Sequence, residues 1–203
     1  MPDLVQGNVT SLPYTVFELA EGYYTKVQER LHRAEKALES ARVAYAVVGG
    51  NAVMAWVAQA DEAAIRPTCN VDLLLNRSEF DAAKVALEEA GFLYRHVASI
   101  DMFLDGPEGK ARDALHILWS GEKVKPTDPV AAPALSEVVQ APGRFMVVTL
   151  QALVRMKLTN FRHKDIVHLQ DFLSTPLIDA NWVSQFTEPL SERLQYVIDH
   201  PED

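Results

Sequence analysis

The chain has 203 residues, of which 48% are hydrophobic and 23% charged, and its formal net charge at pH 7 is −9. These values predict a globular protein with one substantial core, and the acidic balance argues against a protein that coats nucleic acid, although it leaves room for a local basic patch. Cys69 is the only cysteine, which excludes an internal disulfide and a cysteine-based zinc site.

Membrane and export signals are missing from the sequence pattern. No apolar run approaches the roughly 20 residues that a membrane-spanning helix needs. The first residues, MPDLVQGNVTSLPYT, lack the basic and then apolar pattern of a signal peptide. The sequence therefore predicts a cytoplasmic protein with no membrane partner.

The first predicted element is one long helix from Val16 to Val43, with apolar residues at alternating spacings of four and three. The members of this stripe are Val27, Leu31, Ala34, Leu38 and Ala41. We favour the interpretation that the stripe covers the protein's own sheet, and the alternative is contact between two copies in a homo-oligomer. Basic residues mixed with glutamates on the remaining face indicate a solvated surface.

A short apolar strand and a glycine pair come next. The stretch AYAVVGG predicts a strand ending at Gly49 and Gly50, and NAVMAWVAQA predicts a helix for which Asn51 is an available cap. Glycines at such a turn let a phosphate approach the backbone, and the free N–H groups of the helix favour anions. The alternative is a simple tight turn, which this pattern marks more commonly. Neither GxGxxG nor GxxxxGK[ST] occurs, which excludes the dinucleotide and P-loop motifs.

The next predicted strand, NVDLLLN, places Asn70 and Asp72 on one face, because strand side chains alternate. An aspartate in an apolar run is costly unless it is paired or binds a cation, so Asp72 is either a ligand or the cap of a neighbouring loop. An amphipathic helix follows, opened by Ser78 and closed by Gly91.

Two more strands are predicted at DMFLD and DALHILW, and the second of them carries His116. A single histidine on a strand is most commonly a core or rim residue. Asp113 lies an odd number of positions from His116, so on a regular strand it faces the other side. Asp101 and Asp105 flank the first of these strands.

The stretch RFMVVTL leads into a second long predicted helix, LQALVRMKLTNFRHKDIVHLQDFL. Its apolar residues fill one arc at about 100° per residue, and Lys157, Asp165 and His168 fall inside that arc. Charged residues on a core-facing surface need a partner, because unpaired burial is expensive. The two interpretations are a structural ion pair with a snorkelling lysine, or a lysine and a carboxylate facing a cleft.

This layout predicts an α/β (α+β) fold, in which a small mixed β-sheet carries flanking helices. The predicted division is a long N-terminal helical extension over 1–43, an α/β core over 44–150 and a C-terminal helical region over 151–203.

Three stretches, taken in order, resemble the nucleotidyltransferase superfamily, in its minimal prokaryotic branch of abortive-infection-toxin-like proteins. They are the glycine pair Gly49-Gly50, the strand Arg66-Pro67-Thr68-Cys69-Asn70-Val71-Asp72, and the helix TLQALVRMKLTNFRHKD. The resemblance covers roughly residues 45–173, and it implies a nucleotidyltransferase-like fold.

The resemblance also implies a site in which three carboxylates hold Mg²⁺ ions that bind a nucleoside triphosphate. Only Asp72 matches one of these carboxylates, and the other two positions fall on Asn70 and His116, so the expected metal site is degenerate. Asp101 and Asp105 contribute only if the alignment of the strands shifts. The implied metal ligands are Asp72, Asn70 and His116. The implied catalytic residues are Asp72, Asn70 and Lys157. The implied nucleotide-binding residues are Gly49, Gly50, Asn51, Arg66, Thr68, Arg162 and Asp165.

Two functions from different classes follow from this resemblance. The first is transfer of a nucleoside monophosphate to a hydroxyl on a protein, an RNA or a small molecule. The second is a catalytically inactive module on the same fold that binds a nucleotide or a protein. A toxin–antitoxin system is a compatible setting for either function.

Overall fold

The computed structural model describes residues 15–141 and 145–201, with side chains from residue 25 onward except that of Glu62. Residues 1–14, on which the signal-peptide interpretation rests, lie outside this range. In chain order the helices and strands are α1 (Thr15–Ser40), β1 (Tyr45–Val48), α2 (Gly49–Ala60), β2 (Val71–Leu75), α3 (Phe80–Glu89), β3 (Leu93–Val97), β4 (Ile100–Leu104), β5 (Leu115–Trp119), β6 (Val138–Gln140), β7 (Met146–Val148), α4 (Leu150–Asn160), α5 (His163–Ser174) and α6 (Leu190–Asp199).

The seven strands form one mixed sheet in the order β3-β4-β5-β2-β1-β7-β6. Strand β1 is parallel to β7, and β2 is parallel to β5, while the other neighbours are antiparallel. The predicted mixed α/β fold class is therefore confirmed. Strands β3, β6 and β7 were absent from the sequence prediction, because β3 is a largely exposed edge strand and β6 and β7 have only three residues each.

Strand alternation assigns the helices to the two faces of the sheet. Phe80 of α3 packs edge-on against Phe103 of β4 and Trp119 of β5. Because Trp119 lies three residues from His116 on β5, the two side chains project from opposite faces. Helix α3, together with α1 that contacts it, therefore covers the face opposite to His116.

Helix α1 runs from Thr15 to Ser40, and its stripe packs into the same core as the sheet. Val27, Leu31, Ala34 and Leu38 are buried, whereas Ala41 lies beyond the helix and is exposed. The prediction that the stripe covers the protein's own sheet therefore holds for four of its five members. Helix α3 begins at Phe80, not Ser78, because residues 77–79 form a 3₁₀ turn.

The second long helix of the sequence prediction is wrong in one respect, because it is two helices. Phe161 adopts a left-handed conformation (φ 47°, ψ 40°) that ends α4, and α5 begins at His163 with Arg162 as its N-cap residue. A left-handed aromatic residue needs support from outside the helix. Arg193 of α6 supplies it by donating hydrogen bonds to the carbonyls of Leu158 and Thr159 and stacking on the Phe161 ring.

Among the described residues, no helix is both long enough and apolar enough to cross a membrane.

Candidate functional site

The candidate site lies where β2 and β5 run side by side. The parallel register pairs Asp72 with His116, and Asn70 immediately precedes β2. The sequence assigned these three polar side chains to one site, and the structure makes them neighbours at the start of two central strands. Their proximity follows from strand alternation and the β2–β5 pairing together.

The Asn70 amide forms the centre of a hydrogen-bond network. Its Nδ2 donates to Oδ1 of Asp72 over 2.8 Å and lies 3.3 Å from Nδ1 of His116, while its Oδ1 accepts from Oγ1 of Thr68 over 3.3 Å. The amide oxygen thus points to Thr68 and the amide nitrogen to the carboxylate. Reversing the amide would place two oxygens together, so this network fixes its orientation.

His116 has a protein partner for each ring nitrogen. Nε2 lies 3.0 Å from the carbonyl oxygen of Ala111, and Nδ1 lies 3.5 Å from Oδ1 of Asp72. Because a carbonyl only accepts, Nε2 carries a proton and donates it. Hydrogen bonding to Asp72 raises the pKa of His116 above its usual value, against the opposing effect of burial.

The glycine pair is explained by the polar residues that pack on it. A Cβ added at Gly49, whose φ is +68°, would overlap Oδ2 of Asp72, and one added at Gly50 would lie 2.9 Å from Oγ1 of Thr68. Only glycine lets the turn approach β2 this closely. The Asp72 carboxylate therefore lies beside the first turn of α2, where the helix dipole favours negative charge.

Asn51 does not cap α2, contrary to the expectation from the sequence. Helix α2 begins at Gly49 and its N-cap is Val48, which makes no side-chain capping bond. Asn51 instead lies within the first turn and donates from Nδ2 to the carbonyl of Asn70 over 2.7 Å. This hydrogen bond connects the start of α2 to the segment that leads into β2. Because Val48 has no polar side chain, the first N–H groups of α2 receive no hydrogen bond from the N-cap side chain.

Lys157 and Asp165 form a buried ion pair at 3.5 Å, with 6% and 0% of their side chains exposed. Arg162 completes the cluster by donating from Nε to Oδ2 of Asp165 over 2.7 Å. Burial lowers the pKa of Lys157, and the nearby charges of Asp165 and Asp72 oppose this change. Burial works to raise the pKa of Asp165, but Arg162 and Lys157 together hold it below its usual value.

His168 lies on α5 beside this cluster, and its Nδ1 is buried with no hydrogen-bond partner among the described residues. Burial, followed by the charge of Lys157, lowers the pKa of His168 to about 4, and the charges of Lys164 and Arg66 act in the same direction. The imidazole is therefore neutral in the folded protein near neutral pH.

Two further exposed cations lie near these groups. The charge of Lys164 acts on His116, Lys157 and His168, which places this lysine near all three groups. Arg66, with 62% of its side chain exposed, is held by Asp171 of α5, because its Nε lies 3.0 Å from both carboxylate oxygens. The sequence interpretation assigned no role to Lys164, which is exposed, or to Asp171, although the buried position of Asp171 on α5 is the kind of signal that picked out Asp165.

Three other aspartates lie apart from the network. Asp101 is hydrogen-bonded to Tyr94 and His96 on the opposite sheet face, since it pairs in register with Ile117. Asp105 pairs with arginines of α1, and Asp113 lies 3.5 Å from the Arg112 guanidinium. None of them supplies the carboxylates that Asn70 and His116 lack.

The donor set does not fit a pair of Mg²⁺ ions. Mg²⁺ prefers oxygen ligands, chiefly carboxylates and water, but here the amide turns its nitrogen to Asp72 and the imidazole engages both nitrogens. No group of three or more His, Cys, Asp and Glu side chains within the described ranges could hold a metal ion. The metal-binding role of Asp72, Asn70 and His116 stays a prediction from the resemblance.

Two solved structures of the antibiotic-resistance factor ANT(2'')-Ia are similar to this chain. Its solution structure matches with a TM-score of 0.53 and 11% identity, over 86% of this chain and 90% of that one. Its crystal structure with adenylyl-2''-tobramycin matches with a TM-score of 0.50 and 13% identity, over 87% and 98%. At these identities the likeness shows a nucleotidyltransferase fold alone. No protein-family model and no curated protein matches the sequence.

The packing of Asp72 on the glycine turn is testable with two matched substitutions. Gly49→Ala and Gly121→Ala both place alanine at positive φ, but Gly121 (φ +72°) has no atom within 4 Å of the added Cβ. We expect Gly121→Ala to lose about 1–2 kcal/mol in the free energy of unfolding, from backbone strain alone. Gly49→Ala should lose about 1–3 kcal/mol more, because it also overpacks Asp72. Equal losses in urea titrations would show that Asp72 does not pack on the turn.

The neutral His168 makes the folded protein sensitive to acid. Its pKa is lowered from 6.5 to about 4 in the folded state, so the unfolded chain binds more protons between these values. The stabilisation is complete above pH 6.5 and is lost as the pH falls toward 4. We expect His168→Gln to flatten the fall in unfolding free energy between pH 7 and pH 4.5, measured by urea titration. His163→Gln, at an exposed position on the same helix, is the control, and an unchanged slope in His168→Gln would contradict the assignment.

Proposed function

We propose, from the premise that the chain has a nucleotidyltransferase fold, that it binds a nucleoside triphosphate without Mg²⁺. The binding place is the cleft between the start of α2 and the α4–α5 helices. The observation that carries this proposal is the Asn70 amide, whose nitrogen faces the Asp72 carboxylate at 2.8 Å. An N–H donor there takes the position in which a metal ion would need an oxygen ligand.

The start of α2 supplies the anion-binding half of the cleft. Its first N–H groups have no intrahelical partner, and they are the groups that a phosphate would contact, since Asp72 and Thr68 fill the space where the glycines lack a Cβ. Asn51 and Thr68 are already engaged with Asn70, so they support the turn in this proposal. Gly49 and Gly50 would contact the triphosphate through the backbone.

The α4–α5 side supplies positive charge that a metal would otherwise provide. Lys164 is exposed, and Arg162 keeps 54% of its side chain exposed while it holds Asp165. Arg66 is exposed on the neighbouring segment. A triphosphate free of Mg²⁺ would meet these cations first, and buried Lys157 balances the charges of Asp165 and Asp72 beneath them.

The second candidate function is transfer of a nucleoside monophosphate to a hydroxyl acceptor. It is favoured by one observation, the position of the Asp72 carboxylate beside the glycine turn, where it would face a bound triphosphate. The ANT(2'')-Ia crystal structure contains adenylyl-2''-tobramycin, so an aminoglycoside hydroxyl is the first acceptor to test. In this candidate Asp72, Asn70 and Lys157 would be the catalytic residues.

Calorimetry with ATP, GTP, CTP and UTP, each in EDTA and in excess Mg²⁺, separates the two functions. We expect at least one nucleotide to bind with an affinity that Mg²⁺ changes by less than about threefold, because protein cations neutralise the phosphates. Lys164→Ala should weaken that binding by about five- to tenfold, a loss of about 1 kcal/mol.

The control for this experiment is Lys36→Ala, which removes one exposed charge from α1 on the opposite face of the sheet. Binding that requires Mg²⁺, with adenylylated or otherwise nucleotidylated product seen by mass spectrometry, would replace the proposal by the transferase. Absence of binding by all four nucleotides would overturn both functions.

A further inference from the structure

A cavity of about 230 Å³ lies beside the candidate site, on the other side of the segment that leads into β2. Its walls come from α1, from Cys69 and from the connection between β4 and β5. The cations that line it are Lys26, Arg30, Lys110 and Arg112. None of these residues belongs to the nucleotide cleft described above.

The floor of this cavity contains a buried guanidinium. The Arg30 side chain is only 7% exposed, and it donates from Nε to Asp105 over 3.2 Å and from Nη1 to the carbonyl of Cys69 over 3.1 Å. Its Nη2 makes no hydrogen bond with the described residues, and it keeps some exposure to solvent. Part of the fork of Arg30 therefore remains available to a ligand in the cavity.

The charges around the cavity leave an excess of cations. Asp105 is neutralised by both Arg30 and Arg33, and Asp113 lies 3.5 Å from Arg112. The lining charges that remain are the Glu108 carboxylate and the exposed ammonium groups of Lys26 and Lys110, so one positive charge is in excess. An anion entering the cavity would meet these two lysines before it reached the guanidinium.

We propose that this cavity binds the anionic group of a small molecule, a phosphate or a carboxylate. A planar guanidinium matches the oxygens of either group. The two flanking lysines add positive charge, and their flexible ammonium groups can bind either a phosphate or a carboxylate. The volume suits a single such group with part of the molecule that carries it.

The cavity shares backbone with the candidate site at two places. The carbonyl of Cys69 is held by Arg30, and the next residue is Asn70. On the β4–β5 connection, Ala111 accepts from His116, and two residues later Asp113 lines the cavity. A bound anion would therefore hold both backbone segments that position the Asn70–Asp72–His116 network.

Cys69 provides a direct test, because it is exposed, lines the cavity and is the only cysteine of the chain. The rate of its reaction with dithiobis(nitrobenzoate) is measured in the full chain at fixed ionic strength, with chloride, orthophosphate or malonate as the anion. We expect orthophosphate or malonate to slow the reaction saturably, by about threefold or more. A bound anion shields the Cys69 thiol, and it reduces the positive potential that attracts the anionic reagent to the cavity. Slowing by one of the two anions identifies phosphate or carboxylate as the group that binds.

Two variants decide whether the effect belongs to the cavity. The double variant Lys26→Ala/Lys110→Ala should lose the slowing, whereas Lys123→Ala, which removes an exposed lysine elsewhere, should keep it. No slowing by either anion in the wild type, or equal slowing in the double variant, would overturn the proposal. The experiment contains no nucleotide, so its outcome is independent of the proposed function.

Discussion

The site depends on one hydrogen bond, from the Asn70 amide nitrogen to the Asp72 carboxylate over 2.8 Å. A half-buried carboxylate is stabilised by a donor or a cation, and this amide supplies the donor without adding a charge. With its nitrogen on Asp72 and His116, the amide has only its oxygen left, and Thr68 donates to it. Asp72 then fills the space above Gly49, which explains why the turn into α2 has no side chain there.

The helices on the same side of the sheet bring a second cluster next to this network, in which Lys157 and Asp165 are buried and Arg162 is exposed. This second cluster contains two cations, Lys157 and Arg162, and one carboxylate, Asp165. The charge of Asp72 also acts on Lys157 and opposes the lowering of its pKa by burial. The break between α4 and α5 at Phe161 makes this arrangement, because it puts Arg162 at the N-cap position of α5, from which its backbone N–H and its Nε both donate to Asp165. The cleft that we propose is therefore lined by fixed protein charges, which is the basis of the proposal that it binds a phosphate chain without a metal ion.

Much of this arrangement could be predicted from the sequence, because strand alternation and hydrophobic periodicity are local properties. They placed Asn70 and Asp72 on one face and put Lys157 and Asp165 on a core-facing surface, as the structure has them. The break at Phe161 was not predictable, since a left-handed aromatic residue is held by contacts with α6, which are distant in the sequence. The role of Asn51 was missed for a related reason, because a capping pattern does not reveal a bond to a neighbouring strand.

The most direct test of the central claim is the affinity for Mn²⁺, measured by calorimetry in the wild type and in Asn70→Asp. Asn181→Asp is the matched control, since Asn181 also donates its amide to an aspartate, Asp179, but on an exposed turn. If the Asn70 amide holds the place of a cation, the wild type binds Mn²⁺ no better than Asn181→Asp. Asn70→Asp should then gain about tenfold or more in affinity, because a second carboxylate beside Asp72 adds the ligand that a hard cation needs. Binding of Mn²⁺ by the wild type as tightly as by Asn70→Asp would contradict the account.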